Sequence, residues 1–206
     1  MKPIKSLLVL AIVCAPVVAS AQGYYRGGYA PPPPVPGGFH NRTGRLTWGG
    51  AIGLGGMHDG GSAITSCQNC DVKPLAFEVD GHIGGMMSPR FGLMLELQGN
   101  GQTIHSSFRN GDTVLWQGAL MIAGQYWLLP QLWIKGGIGV SNLQVDDTYV
   151  TVDYGNGGVL MGALGVELLS ARNFALELQG RVIEGEYNSL NDHVTSGTIG
   201  IGINWY

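Results

Sequence analysis

From Leu46 to the C-terminus, apolar and polar residues alternate with a period of two in eight successive stretches. No other feature constrains the fold as tightly. A strand sends consecutive side chains to opposite faces, whereas a helix would smear the same residues round its axis. The five-residue run LELQG shows the pattern twice, at Leu95–Gly99 and Leu176–Gly180. In the first copy Phe91, Leu93, Leu95 and Leu97 share a face opposite Gly92, Met94, Glu96, Gln98 and Asn100. In the second, Phe174, Leu176, Leu178 and Val182 oppose Ala175, Glu177, Gln179 and Arg181. Each stretch has one greasy face and one polar or small-residue face.

The remaining stretches obey the same rule. Leu46, Trp48, Ile52 and Leu54 share the apolar face of the first, and Ile199, Ile201, Ile203 and Trp205 that of the last. Between them, Leu75, Phe77, Val79 and Ile83 oppose Glu78, Asp80 and His82, while Trp116, Leu120 and Ile122 oppose Gln117, Met121 and Gln125. Ile134 and Ile138 oppose Lys135, and Leu164 and Val166 oppose Glu167. The breaks SPR, LLPQ and SARN are short, and the alternate connections, near 58–73, 103–113, 144–156 and 184–193, read as long polar loops. Short turns at one end and long loops at the other, with strands of about ten residues, are the pattern of a transmembrane β-barrel. Closure is required because an open sheet in lipid would leave edge groups unpaired. The fold class expected is all-β: an eight-stranded antiparallel up-and-down transmembrane barrel over residues 45–206.

What precedes the barrel reads differently. Lys2 and Lys5, the apolar run LLVLAIV at 7–13 and the small-x-small site Ala19-Ser20-Ala21 make residues 1–21 a secretory signal peptide cleaved after Ala21. Its apolar core is too short to span a bilayer. Residues 22–44, rich in Gly, Pro and Tyr, carry four successive prolines and no periodicity, as expected of a disordered periplasmic tether. Loss of Lys2 and Lys5 from 11 basic residues leaves 9 against 14 acidic, a formal charge of −5, which excludes a nucleic-acid footprint.

A signal peptide, eight Gly-rich alternating strands and a terminal aromatic resemble the small outer-membrane β-barrel domain family of Gram-negative bacteria, of the OmpA, OmpX and opacity type. The resemblance covers roughly residues 44–206 and rests on pattern, not on a diagnostic motif. It implies location in the cell outer membrane, outer-membrane lipid and lipopolysaccharide as surroundings, the barrel assembly machinery as a partner, and a monomer. That family usually ends on a lipid-facing aromatic. Here the apolar parity falls on Trp205, with Asn204 and Tyr206 on the other parity.

Candidate chemistry is sparse. Cys67 and Cys70 fall in the first long loop of an exported chain, where a structural disulfide is expected. CxxC spacing without a βαβ setting makes a redox motif the weaker reading, as is a zinc site with His58 or His82, since only two thiols are available. His105-Ser106-Ser107 could serve a lipid-modifying enzyme, but no carboxylate is placed beside it by the sequence. No cofactor, metal or catalytic residue is expected. The inward parity is more informative: Glu78, Asp80, His82, Glu96, Lys135, Glu167, Glu177 and Arg181 point toward the lumen. An eight-stranded barrel is just wide enough for side chains to fill it. Unpaired buried charge costs several kcal/mol per ion, so these groups should pair. Counting from the short turns places Glu167 and Glu177 on either side of Lys135, with Arg181 one layer deeper, within reach of Glu177 and, across the lumen, of Glu96. The function expected is structural or surface-interacting, with a plugged lumen and room for an extracellular or cell-wall partner. A narrow channel or carrier, and a lipid-modifying enzyme, are the alternatives.

Overall fold

The computed structural model describes residues 39–59, 62–63, 75–105, 112–146, 151–187 and 192–206. The signal peptide, most of the tether, Cys67, Cys70, Ser106 and Ser107 lie outside the described residues. Eight long strands follow in chain order: β1 (Leu46–Asp59), β2 (Ala76–Ser88), β3 (Phe91–His105), β4 (Asp112–Trp127), β5 (Leu132–Asp146), β6 (Thr151–Ser170), β7 (Phe174–Tyr187) and β8 (Asp192–Trp205). Each pairs antiparallel with its chain neighbours, and β8 pairs back onto β1 from Trp48↔Trp205 to Asp59↔Val194, closing the barrel. A two-residue segment, Ser62–Ala63, adds to the end of β1. No helix occurs among the described residues.

Strand positions agree with the alternation, and the extents differ at one end. The short turns stand where expected, between Ser88 and Phe91, Trp127 and Leu132, and Ser170 and Phe174. At the opposite end β3 runs to His105, β5 to Asp146 and β6 starts at Thr151, so strand occupies much of what reads as loop. The period-two hydrophobic pattern fades in the sequence there. Backbone pairing continues, since it does not depend on what the side chains face.

The two parities divide inside from outside. Ile52, Ile83, Leu95, Ile122, Ile138, Leu160, Leu178 and Ile201 are exposed on the outer surface, and the opposite parity is buried. An outward apolar surface of this extent, flanked by aromatics, is what a bilayer covers. On β4 the outward aromatics Trp116 and Tyr126 stand ten residues apart. At about 3.4 Å per residue and a tilt of about 40°, that spacing measures about 26 Å along the barrel axis, close to the apolar band of such barrels. At the closing seam Trp48 stacks on Trp205 at 4.4 Å, with Phe174 at 5.8 Å from the latter.

Inside, large rings are matched by missing side chains. An added Cβ at inward-facing Gly165 would sit 2.2 Å from Cζ2 of Trp133 on the neighbouring strand. The indole of Trp133 is fully buried against this position. Gly165→Val is expected to force that ring aside and cost about 1–3 kcal/mol, the usual range for overpacking. Urea unfolding of the barrel in lipid vesicles measures it, and an unchanged midpoint would refute the close packing.

Candidate functional site

The most chemically loaded region is the lumen. Short-range pairing runs across it, not merely between neighbours. Arg181 on β7 reaches the opposite wall, where Nη1 lies 2.5 Å from Glu96, Nη2 lies 3.2 Å from Asp80 and Nε lies 3.3 Å from Glu78. Nη1 also donates to Gln98 at 2.9 Å. Lys135 on β5 pairs with the other oxygen of Glu96 at 3.3 Å and sits 5.2 Å from the ring of Trp133. Gln179 donates to Asp80 at 3.1 Å and Thr198 donates to Glu78, so neutral groups add to the ion pairs. All these side chains are buried.

A second charged layer lines the short-turn mouth. Glu167 and Glu177 are direct cross-strand partners, an arrangement that repels unless each carboxylate has its own donors. Glu177 accepts from Trp133 Nε1 at 3.0 Å and from Asn204 at 2.8 Å. Asn204 Oδ1 in turn meets His82 Nε2 at 2.5 Å. Glu167 accepts a two-pronged contact from Arg42, at 2.9 and 3.2 Å, together with Trp127 Nε1 at 2.8 Å and Ser170. Tyr206 donates to it at 3.2 Å, and burial pushes the phenol pKa above its ordinary range, keeping it a donor. The guanidinium of Arg42 also lies 3.6 Å from the centre of the Tyr206 ring. Tyr206 thus faces inward, as its parity requires.

Beyond the Arg181 layer the lumen is lined by uncharged groups. Asn100 donates to Ser196 at 3.0 Å and Gln117 donates to Tyr187 at 2.7 Å. Met57, Ala76, Leu115, Leu143, Tyr187 and Val194 pack into an apolar cluster toward the long-loop end. A second apolar cluster, with Met94, Met121, Met161 and Ile183, is buried inside the wall. Flexible, unbranched methionines suit such irregular space. Among the described residues, no group of three or more His, Cys, Asp or Glu side chains is arranged to hold a metal ion.

Placement differs from the sequence expectation in two respects. Lys135 does not stand between Glu167 and Glu177; its ion pair is with Glu96, two strands away. Counting residues from the turns treats strands as upright, but they tilt, and register rows climb round the wall. By register Lys135 aligns through Ala163 with Arg181, not with Glu177. The second difference is Arg42, buried at 3 % exposure although it belongs to the segment expected to be a tether. One signal pointed to it: five inward carboxylates faced only two inward cations, Lys135 and Arg181, on the strands. That surplus is met by Arg42 at Glu167 and by neutral donors at Glu177. His105 ends β3, while Ser106 and Ser107, like Cys67 and Cys70, lie outside the described residues.

No protein-family model matches this sequence, and no curated protein matches it. Among solved structures, the chain is similar to Ail, the attachment invasion locus protein of Yersinia pestis, in complex with the heparin analogue sucrose octasulfate. The TM-score is 0.50 at 11 % identity, over 78 % of this chain and 99 % of that one. It is similar also to Neisserial surface protein A, with TM-score 0.50 and 12 % identity over 78 % of this chain and 95 % of that one. Both are small eight-stranded outer-membrane β-barrels. At such identities the likeness is one of fold.

Proposed function

We propose that this protein is an outer-membrane barrel of structural or surface-interacting kind, exported by its signal peptide, whose lumen is plugged by its own side chains. The observation that supports the reading is the succession of buried, packed layers: Arg42 with Glu167 at the short-turn mouth, Lys135 and Arg181 with three carboxylates, then the Tyr187 cluster. A channel needs a continuous wet path, and ions in that path would have to displace paired, buried charges. Each displacement costs several kcal/mol.

The short-turn end then faces the periplasm, with both chain termini of the barrel there. A sulfated-sugar ligand like that of Ail does not carry over readily. The described rim at the long-loop end exposes Asp146, Asp153, Glu184 and Glu186, which repel polyanions. Planar-bilayer recording on the refolded chain tests the reading. The expected result is no steady current at neutral pH; stable unitary conductance would replace the plug with the narrow channel. Unchanged lipid A composition in cells that overproduce the chain is expected if it is no lipid-modifying enzyme.

A further inference from the structure

We infer that residues 39–43 are a removable stopper, linking the Pro-rich segment before them to the short-turn mouth of the barrel. The inference rests on the plugged-lumen reading and deepens it. The stopper enters as Phe39, which packs against Met86, Trp127 and Trp133 and lies 4.0 Å beneath the guanidinium of Arg90. It inserts Arg42, which bonds Glu167, Ser170 at 3.2 Å and the carbonyl of Ala171 at 3.0 Å. Then it reverses: Arg45 N–H donates to the Arg42 carbonyl at 3.1 Å, and Gly44 adopts φ of 74°, a left-handed conformation that suits glycine. Only from Gly44 onward does the backbone join the sheet, through Gly44 N–H to the Met86 carbonyl at 2.8 Å.

The way the stopper is held makes it separable from the fold. Its grip is a handful of side-chain contacts, whereas every strand is held by a full ladder on both edges. Withdrawal breaks no strand pairing. It does not orphan Glu167 either, because Trp127, Ser170 and Tyr206 still donate to that carboxylate. What withdrawal does is uncover two adjacent carboxylates, Glu167 and Glu177, at an opened mouth, which would then attract small cations. Whatever pulls on the Pro-rich segment pulls first on Phe39 and then on Arg42.

Trp127 reports the state directly, since its indole N–H is buried beside Arg42 and donates to Glu167. Hydrogen exchange of the tryptophan indoles is followed by nuclear magnetic resonance on the nitrogen-labelled chain refolded in lipid nanodiscs. In Arg42→Ala the Trp127 indole should exchange at least about tenfold faster than in the wild type, with strand amides unchanged. Arg42→Lys should keep part of the protection. Equal Trp127 rates in wild type and Arg42→Ala would overturn the stopper, as would acceleration shared by all strand amides. If Arg42→Ala does not fold, the double variant Arg42→Ala with Glu167→Gln removes both charges and must show the acceleration; its failure to fold also overturns the proposal. A conducting wild type with a protected Trp127 would sink the plugged-lumen reading alone. An unprotected Trp127 in a non-conducting wild type would sink the stopper alone.

Discussion

Arg181→Met will destabilise the barrel by about 3–5 kcal/mol, the range for removing one partner of a buried ion pair. The guanidinium is the common partner of Glu78, Asp80 and Glu96, all within 3.3 Å of it. Methionine fills similar volume, so little of the loss comes from packing. What remains is three carboxylates facing one another with Lys135 as the nearest cation, and that ion is already committed to Glu96. A compensated variant separates charge from shape: Arg181→Met with Glu78→Gln and Asp80→Asn removes two of the stranded charges and should regain much of the loss. Urea unfolding in lipid vesicles reads both variants. A wild-type midpoint for Arg181→Met would mean that water, not the protein, solvates these carboxylates, and that the lumen is wet.

How much of this was legible in the sequence depends on which physical rule governs each feature. The sheet was legible because period-two alternation is a local signal, and every residue from Leu93 to Gln98 obeys it without exception. Closure was legible because eight apolar-faced strands leave an edge that lipid does not tolerate. Inwardness was legible for the same local reason, and Glu96, Lys135 and Arg181 are all buried as their parity demands. Partner choice was not, because it depends on stagger and on reach across the lumen, both global properties of the closed sheet. Arg181 meeting Glu96 follows from their strands lying opposite, which counting strands reveals. Lys135 meeting Glu96 does not. Arg42 was hidden for another reason: it lies on no strand, in a stretch whose prolines and glycines read as tether. Only the shortage of inward cations hinted that a loop residue must complete the interior.

The Lys135 pairing turns that lesson into a measurement. Lys135→Met should cost about 3 kcal/mol, the low end for a broken buried pair, since Arg181 continues to hold Glu96 at 2.5 Å. The single value does not identify the partner; double-mutant cycles do. With Glu96→Gln the two losses should fall short of adding, giving a coupling of about 1–3 kcal/mol, as for residues in one ion network. With Glu167→Gln they should add to within about 0.5 kcal/mol, since Glu167 is held by Arg42 and not by Lys135. The cycle with Glu177→Gln should lie between, because that carboxylate takes its hydrogen bonds from Trp133 and Asn204, and the Trp133 ring lies 5.2 Å from the Lys135 ammonium. Coupling larger to Glu167 than to Glu96 would restore the upright-strand picture, in which distance from the short turn alone decides which charges meet. Coupling larger to Glu96 requires that the ammonium cross two strands of the wall, which it can do only if the lumen is as narrow and as filled as the plug requires.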